Sequence, residues 1–174
     1  MRPLLLLTVI AASIILVGCD DIFTLQDFQD QAKVDSAAAS LDLNRCESLT
    51  KPQLVAECQR KIGTAKSNAD ICKNITEYYN RNSCLTDVAI NTSNDKLCAD
   101  IADESDHDYC YWKIAVNTRE PSLCKEPTQE FRRDYCWDEL AQVTKDKEYC
   151  SRMVSDSLRK TCYAKLNQTM QSAP

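Results

Sequence analysis

Cysteine is the residue type in this chain with the widest chemical capacity, as a metal ligand, a nucleophile or a disulfide partner. The chain has 11 cysteines among 174 residues. Ten of them are separated by alternating steps of 12 and 14 residues: Cys46, Cys58, Cys72, Cys84, Cys98, Cys110, Cys124, Cys136, Cys150 and Cys162. Zinc-binding thiolates usually come in close pairs such as Cys-x2-Cys, and no such pair occurs here. The spacing predicts structural disulfides and no metal site.

The single histidine is the other candidate for chemistry. His107 lies between Asp106 and Asp108, which could form an acid/base cluster. A hydrolase would also need a nucleophile, and no serine, threonine or second histidine is marked out for that role. We therefore expect Asp106 to cap a helix and His107 to be solvated. The sequence predicts no catalytic residues and no cofactor, so we expect that the protein is not an enzyme.

The charge pattern bears on possible partners. The formal net charge is -5, and lysine and arginine are interspersed with the acidic residues. Nucleic-acid binding needs a basic patch, so we expect no nucleic-acid partner. Four acidic residues in one stretch are expected to form a solvated face: Asp103, Glu104, Asp106 and Asp108. The chain has only 2 glycines, and its polar composition favours helices.

The 12 and 14 residue steps add up to an internal repeat of 26 residues. When the repeats are aligned at this period, other positions also form columns of similar residues. An apolar column contains Ile62, Val88, Ile114, Leu140 and Leu166, and a mostly small column follows it directly, with Gly63, Ala89, Ala115, Ala141 and Asn167. Each unit is interpreted as a short helix of about eight residues around its first cysteine and a helix of about twelve to fourteen around its second. Pro127 is expected to end its short helix early.

These patterns predict an all-α fold, a short α-solenoid of about five helical hairpins. The hairpin is similar to the tetratricopeptide hairpin but shorter than that unit, which has about 34 residues. Helices this short are marginal in isolation, so disulfides are expected to supply the missing stability.

Geometry favours one regular disulfide pairing. Cys46 and Cys58 lie on either side of the same turn at similar depth, so a disulfide joins them easily. A disulfide between Cys58 and Cys72 would have to span a mismatch of roughly 8 Å along the helix axes and would leave Cys46 and Cys162 unpaired. We therefore predict five disulfides within the hairpins, each over a 12-residue step: Cys46 with Cys58, Cys72 with Cys84, Cys98 with Cys110, Cys124 with Cys136, and Cys150 with Cys162.

The eleventh cysteine follows an apolar amino-terminal segment. Residues 1–18 have the pattern of a signal peptide, with Arg2 before an apolar run that is too short to span a membrane comfortably. The run ends in Leu16-Val17-Gly18-Cys19, which closely resembles the lipobox of bacterial lipoproteins. This resemblance implies cleavage before Cys19 and attachment of acyl chains to it, so that the mature protein is held on a membrane. The alternative is an ordinary secretory signal followed by a chance cysteine.

The resemblance also implies a compartment. A lipoprotein of this kind would face the periplasm of a bacterial cell envelope, and Asp20 after the modified cysteine slightly favours the inner membrane. The expected organisation is a signal peptide over 1–18, a lipidated tether over 19–24, a capping helix or flexible spacer over 25–44, and the repeat domain over 45–174. Ala32 occupies the position at which the alternating steps of 12 and 14 residues would place one more cysteine.

Aromatic residues provide the candidate contact surface. Tyr111 and Trp137 fall in an apolar column and are expected to pack between hairpins. Trp112 stands in a column that is otherwise Arg60, Thr86, Asp138 and Ala164, so it is a candidate for contact with a partner, together with Tyr109 and Tyr135.

The sequence therefore favours a membrane-anchored, non-catalytic module of the cell envelope that binds a protein or peptide or acts as a scaffold. Two alternatives have the same anchor and fold. One is an assembly factor resembling the pilotins of secretion and pilus systems. The other is a protective lipoprotein that acts as an inhibitor or immunity protein or excludes phage, in which an acidic body would meet a basic partner.

Overall fold

The computed structural model describes residues 25–171, and throughout this range every regular element is helical. The elements are α1 (Leu25–Ser40), α2 (Leu43–Glu47), α3 (Pro52–Ala65), α4 (Ala69–Lys73), α5 (Tyr78–Thr92), the 3-10 helix η1 (Asp95–Asp100), α6 (Glu104–Thr118), the 3-10 helix η2 (Pro121–Lys125), α7 (Glu130–Thr144), α8 (Glu148–Ser151) and α9 (Asp156–Gln171). Five hairpins, each a short helix followed by a long one, stack behind α1. The predicted signal peptide, the Cys19 anchor, Asp20 and the tether lie outside the described residues.

The fold class is confirmed, but the helix lengths differ from those predicted. The short helices have 4 to 6 residues and the long helices of the hairpins have 14 to 16. The short helices stop early because the residue three positions after the first cysteine turns into the core. The residues at this position are buried in every hairpin: Leu49, Ile75, Ile101, Pro127 and Met153.

Pro127 does not shorten its helix, contrary to the prediction. Helix η2 ends at Lys125, one residue after Cys124. Helix α4 likewise ends at Lys73, one residue after its cysteine, although isoleucine stands at the position of the proline there. The early end is therefore common to the short helices and does not depend on the proline.

All five predicted disulfides are present and close the hairpins individually. The paired Cα atoms are 5.4 to 5.8 Å apart, within the usual range for disulfides. All ten cysteines are fully buried. The disulfides therefore lie in the core, where the apolar column and the small column of neighbouring hairpins pack against them.

The long helices up to α7 end in a common way. A residue in the left-handed region follows each of five helices, with φ between 49° and 61°: Leu41, Ser67, Ser93, Arg119 and Lys145. In the middle hairpins the next N–H donates to the carbonyl of the small residue, as from Asn94 to Ala89 and from Glu120 to Ala115, both at 2.9 Å. This is the 6→1 bond of a Schellman motif.

Helix α1 shares this ending, since the N–H of Asp42 donates to the carbonyl of Ala37 at 3.2 Å. Its residues Val34 and Ala37 are fully buried against the first hairpin. Ala32, at the position of the missing cysteine, is exposed. Over Leu25–Ser40 the chain is thus a helix in register with the long helices of the repeats.

In most hairpins the short helix begins with a side-chain cap. Asn68 and Glu120 accept hydrogen bonds from backbone N–H groups at the start of α4 and η2, and Asp146 accepts one from Glu148. Asn94 makes no such bond. Pro121 occupies the first turn of η2.

Neighbouring long helices lie in register, so residues 26 positions apart face each other. Gln31 donates to Glu57 at 3.0 Å, and Lys113 donates to Glu139 at 3.1 Å. Lys61 reaches back by the same step to Asp35 at 2.7 Å. The repeat period therefore also predicts which side chains meet across the helix layer.

Candidate functional site

Four aromatic side chains on two adjacent long helices form a contiguous patch, which we call the aromatic surface: Tyr109 and Trp112 on α6, and Phe131 and Tyr135 on α7. The ring of Trp112 stacks on Tyr135 with centroids 6.1 Å apart. Tyr109 meets Trp112 edge to face at 5.9 Å, and Phe131 meets Tyr135 in the same way at 6.1 Å. The three candidate contact residues therefore lie together, joined by Phe131.

Three of these rings are well exposed. Tyr109, Phe131 and Tyr135 keep 39%, 48% and 44% of their accessible surface, whereas Trp112 is half-buried and packs on the core of the last two hairpins. Large exposed aromatic side chains in contact with each other are typical of interaction surfaces.

Sequence reasoning missed Phe131, and a signal for it was present. Phe131 precedes Tyr135 by four residues, so the two share a face of α7. In the hairpin before, the corresponding residue is Ser105. The structure also agrees with the predicted core role of Tyr111 and Trp137, which are buried.

Asp108 sets the position of α7 against α6. Its Oδ1 atom accepts the N–H of Thr128 at 2.7 Å, and its Oδ2 atom accepts the N–H of Gln129 at 2.9 Å. Gln129 is the N-cap residue of α7 and makes no side-chain cap of its own. A carboxylate from one hairpin thus caps the long helix of the next, directly beside Tyr109.

The prediction that Asp108 belongs to a solvated acidic face is wrong. Its side chain is fully buried, because it lies between helices α6 and α7, where it accepts hydrogen bonds from the backbone at the start of α7. Burial by itself raises the pKa of the Asp108 carboxyl, but the hydrogen bonds from Gln129, Thr128 and His107 hold that pKa below its ordinary value. The hydrogen bonds from the N–H groups of Thr128 and Gln129 require Asp108 in its ionised, carboxylate form.

His107 and Asp106 also differ from their predicted roles. Helix α6 is capped by Asp103, which accepts the N–H of Asp106 at 3.0 Å, so Asp106 is inside the first turn. His107 is mostly covered, with its Nδ1 atom 3.1 Å from Asp108 Oδ1 and its ring edge to face with Tyr111 at 5.0 Å. The histidine supports the buried carboxylate.

Two cations border the aromatic surface in different ways. Lys113 lies over the ring of Trp112 at 5.4 Å and is neutralised by Glu139 at 3.1 Å. Arg132 lies over the ring of Phe131 at 5.2 Å, and its Nη2 atom donates to Ser105 Oγ at 3.1 Å. Its buried Nε atom has no hydrogen-bond partner among the described residues.

No protein-family model, curated protein or solved structure matches this chain. The assignment of a role therefore rests on the chemistry of the molecule itself.

The described residues contain neither a candidate metal site nor a candidate membrane-spanning helix. Within 25–171 no three histidine, cysteine, aspartate or glutamate side chains are placed to hold a metal ion together. Nor does any helix in that range combine the length and the apolar character needed to cross a membrane.

One polar groove lies at the other end of the fold, between α1 and α2. It has a volume of about 350 Å3 and is lined by Gln29, Ala32, Lys33, Ser36, Arg45 and Ser48. Lys33 is paired with Asp30 and Arg45 with Asp42, so the groove has little uncompensated charge. The aromatic surface is the stronger candidate for binding.

Proposed function

We propose that this protein is a lipid-anchored, non-catalytic module of the bacterial cell envelope that binds a protein partner through the aromatic surface. The observation that carries the proposal is the contact of Tyr109, Trp112, Phe131 and Tyr135 on α6 and α7, with three of the four rings well exposed. Tyrosine and tryptophan are the residues most enriched among energetic hot spots.

The scaffold supports such a role, since five disulfides and the Asp108 cap hold the aromatic rings in place before any partner arrives. A surface that is already ordered loses little conformational entropy on binding. The lipobox-like sequence before Cys19 supports export and attachment, and disulfides persist in oxidising compartments such as the periplasm.

The docking part of the proposal is tested by photo-crosslinking in intact cells. A photoreactive phenylalanine analogue replaces Tyr109 or Tyr135, and the matched control carries it at Tyr79, an aromatic residue of α5 that is 70% exposed. We expect discrete protein adducts from the first two positions and not from Tyr79. We also expect the adducts to decrease when Phe131 is replaced by serine, the residue found at the equivalent position of the preceding hairpin.

Three outcomes would overturn the docking proposal. These are the absence of adducts, the same adducts from all three positions, and adducts that contain only two copies of this chain. The last outcome would make the aromatic surface a self-association interface instead.

The anchor is tested separately by mass spectrometry and cell fractionation. We expect the mature protein to begin at Cys19, to carry acyl mass on that residue and to sediment with membranes. Cys19→Ala should abolish the acyl mass and leave the amino-terminal segment uncleaved. A free thiol at Cys19 in the mature protein would exclude the lipid anchor.

A further inference from the structure

We infer that the partner of the aromatic surface is a protein segment that presents an apolar side chain next to a carboxylate, and that Arg132 binds the carboxylate. This inference rests on the proposed function and adds the chemistry of the partner. It runs against the net charge of -5, which on its own favours a cationic partner.

The state of Arg132 is the first reason. It forms no ion pair with any described carboxylate, and its hydrogen bond goes to the neutral hydroxyl of Ser105. Nearby acidic side chains are otherwise engaged: Glu104 accepts the hydroxyl of Thr128 at 2.7 Å, and Asp108 accepts backbone N–H groups. A guanidinium with unused donors is suited to bind a carboxylate, if possible through two parallel bonds.

A second arginine of the same chain shows what a neutralised site looks like. Arg152 lies over the rings of Trp137 and Tyr149 at 5.4 and 5.7 Å, much as Arg132 lies over Phe131. Arg152, however, is paired with Glu148 at 3.0 Å. Arg152 thus has an internal carboxylate at its aromatic contact, whereas Arg132, like Arg81 over the ring of Tyr78, has no ion pair among the described residues.

The third reason is the arrangement of apolar and charged groups. Phe131 and Tyr135 are in edge-to-face contact on α7, and the guanidinium of Arg132 lies over the ring of Phe131 at 5.2 Å while it donates to Ser105 on α6. An apolar side chain placed on these rings would exclude water from the guanidinium. Exclusion of water strengthens the attraction between the guanidinium and an adjacent carboxylate, which favours a segment that carries both groups.

The experiment uses three probes that share a phenyl ring on a three-carbon chain and differ in the charged or neutral head group: phenylpropionate, phenylpropanol and phenylpropylamine. Each is titrated into the isotope-labelled protein, and binding is followed by the backbone amide shifts of α6 and α7. We expect the carboxylate to bind about tenfold more tightly than the amine, with the alcohol between them. Shifts should centre on Phe131, Arg132 and Tyr135.

Two variants separate Arg132 from general charge effects. Arg132→Gln should remove the preference for the carboxylate, whereas Arg152→Gln, with the same change in net charge, should leave it intact. The inference is overturned if the amine binds as tightly as the carboxylate, if none of the probes binds, or if Arg132→Gln leaves the order unchanged.

Failure here is distinguishable from failure of the proposed function. Protein adducts from Tyr109 and Tyr135 that persist unchanged in Arg132→Glu would keep the docking role and refute the acidic partner. Loss of these adducts in Arg132→Glu, with retention in Arg152→Glu, would support both.

Discussion

The Oδ2 atom of Asp108 accepts the backbone N–H of Gln129 at 2.9 Å, so a side chain of one hairpin caps the long helix of the next. The same relationship recurs 26 residues later, where Asp134 accepts the N–H groups of Val154 at 2.8 Å and Ser155 at 2.9 Å. These buried carboxylates join α6, α7 and α9 into one block that carries the aromatic surface.

The first prediction concerns the pH dependence of this cap. Asp108→Asn should lower the free energy of unfolding at neutral pH by about 1.5 to 3 kcal/mol, because charge-assisted bonds to two backbone N–H groups are weakened. The pKa of Asp108 is depressed in the folded state. Its contribution is therefore fully present above the unfolded pKa of about 3.9 and is lost as pH falls through the folded pKa.

Urea unfolding of wild type and Asp108→Asn between neutral and strongly acidic pH checks this prediction. The difference between the two proteins should be constant above about pH 5 and should shrink below about pH 4. Asp70→Asn, at an exposed position of α4, is the control and should show little difference at any pH. A difference that grows on acidification would contradict the cap.

The second prediction concerns Asn82, which stands one repeat before Asp108 at the same position. Asn82 is 1% exposed, and neither its Oδ1 nor its Nδ2 atom has a partner among the described residues. Ala56 stands at this position in the first hairpin. Asn82→Ala should therefore change stability by no more than about 1 kcal/mol, since removal of an unpaired buried amide offsets the lost packing.

Asp134→Ala is the matched variant for comparison. It removes an acceptor from the N–H groups of Val154 and Ser155, and we expect a loss of about 2 kcal/mol or more. Thermal and urea unfolding measure both variants. Equal losses for Asn82→Ala and Asp134→Ala would show that the recurring carboxylate has no special role.

The third prediction concerns the close approach of Gly63 to the second disulfide. A Cβ atom at Gly63 would lie 2.8 Å from Cys84 Sγ and 3.1 Å from Cys72 Sγ. Both sulfur atoms are fixed by their bond and by burial, so they have little room to move. Gly63→Ala should gain about 1 kcal/mol in helix propensity and lose about 1 to 3 kcal/mol to overpacking.

We therefore expect Gly63→Ala to be neutral or destabilising, and Gly63→Val to be clearly more destabilising. The next three hairpins have alanine at this position, so the reverse change Ala89→Gly serves as the comparison. It should destabilise by about 1 kcal/mol through helix propensity. A stabilised Gly63→Val would mean that the contact is looser than the structure has it.

The fourth prediction concerns the left-handed residues that end the long helices. Ser93 has φ 52° and is exposed, so its side chain contributes strain without packing. Ser93→Gly should stabilise the protein by about 1 kcal/mol, because glycine adopts this conformation without steric cost. Thr92→Gly, one residue earlier and still within α5, should destabilise, because glycine has the lower helix propensity and the hydrogen bond from the Thr92 hydroxyl to the Val88 carbonyl at 2.7 Å is lost. Thermal unfolding of the two variants gives opposite signs if the prediction holds.

The sequence predicted the disulfide pairing correctly, but it did not predict which polar side chains are buried. The 12-residue step between Cys98 and Cys110 predicted their disulfide, since a short loop across a turn restricts the geometry. The sequence alone could not show that Asp108 is buried and not solvated. Its burial depends on the backbone N–H groups of residues 128 and 129, which are brought close only by the stacking of two hairpins.

The aromatic surface was likewise predicted only in part from the sequence. Tyr109, Trp112 and Tyr135 were identified because they interrupt or repeat a column, which is a property of the sequence. Phe131 joins them because it precedes Tyr135 by four residues on one face of α7, and Arg132 lies beside them because its side chain crosses to Ser105. The sequence predicts no direction for such a crossing.

By itself the sequence determined the period, the helical class, the disulfide pairing and the small residues at the helix ends, because these depend on short-range geometry that repeats every 26 residues. The tertiary structure alone decided which polar groups are buried as caps, which aromatic rings meet across two helices and that Arg132 has no ion pair beside them. Those properties depend on distances between hairpins, and such distances follow from packing, which local sequence patterns do not encode.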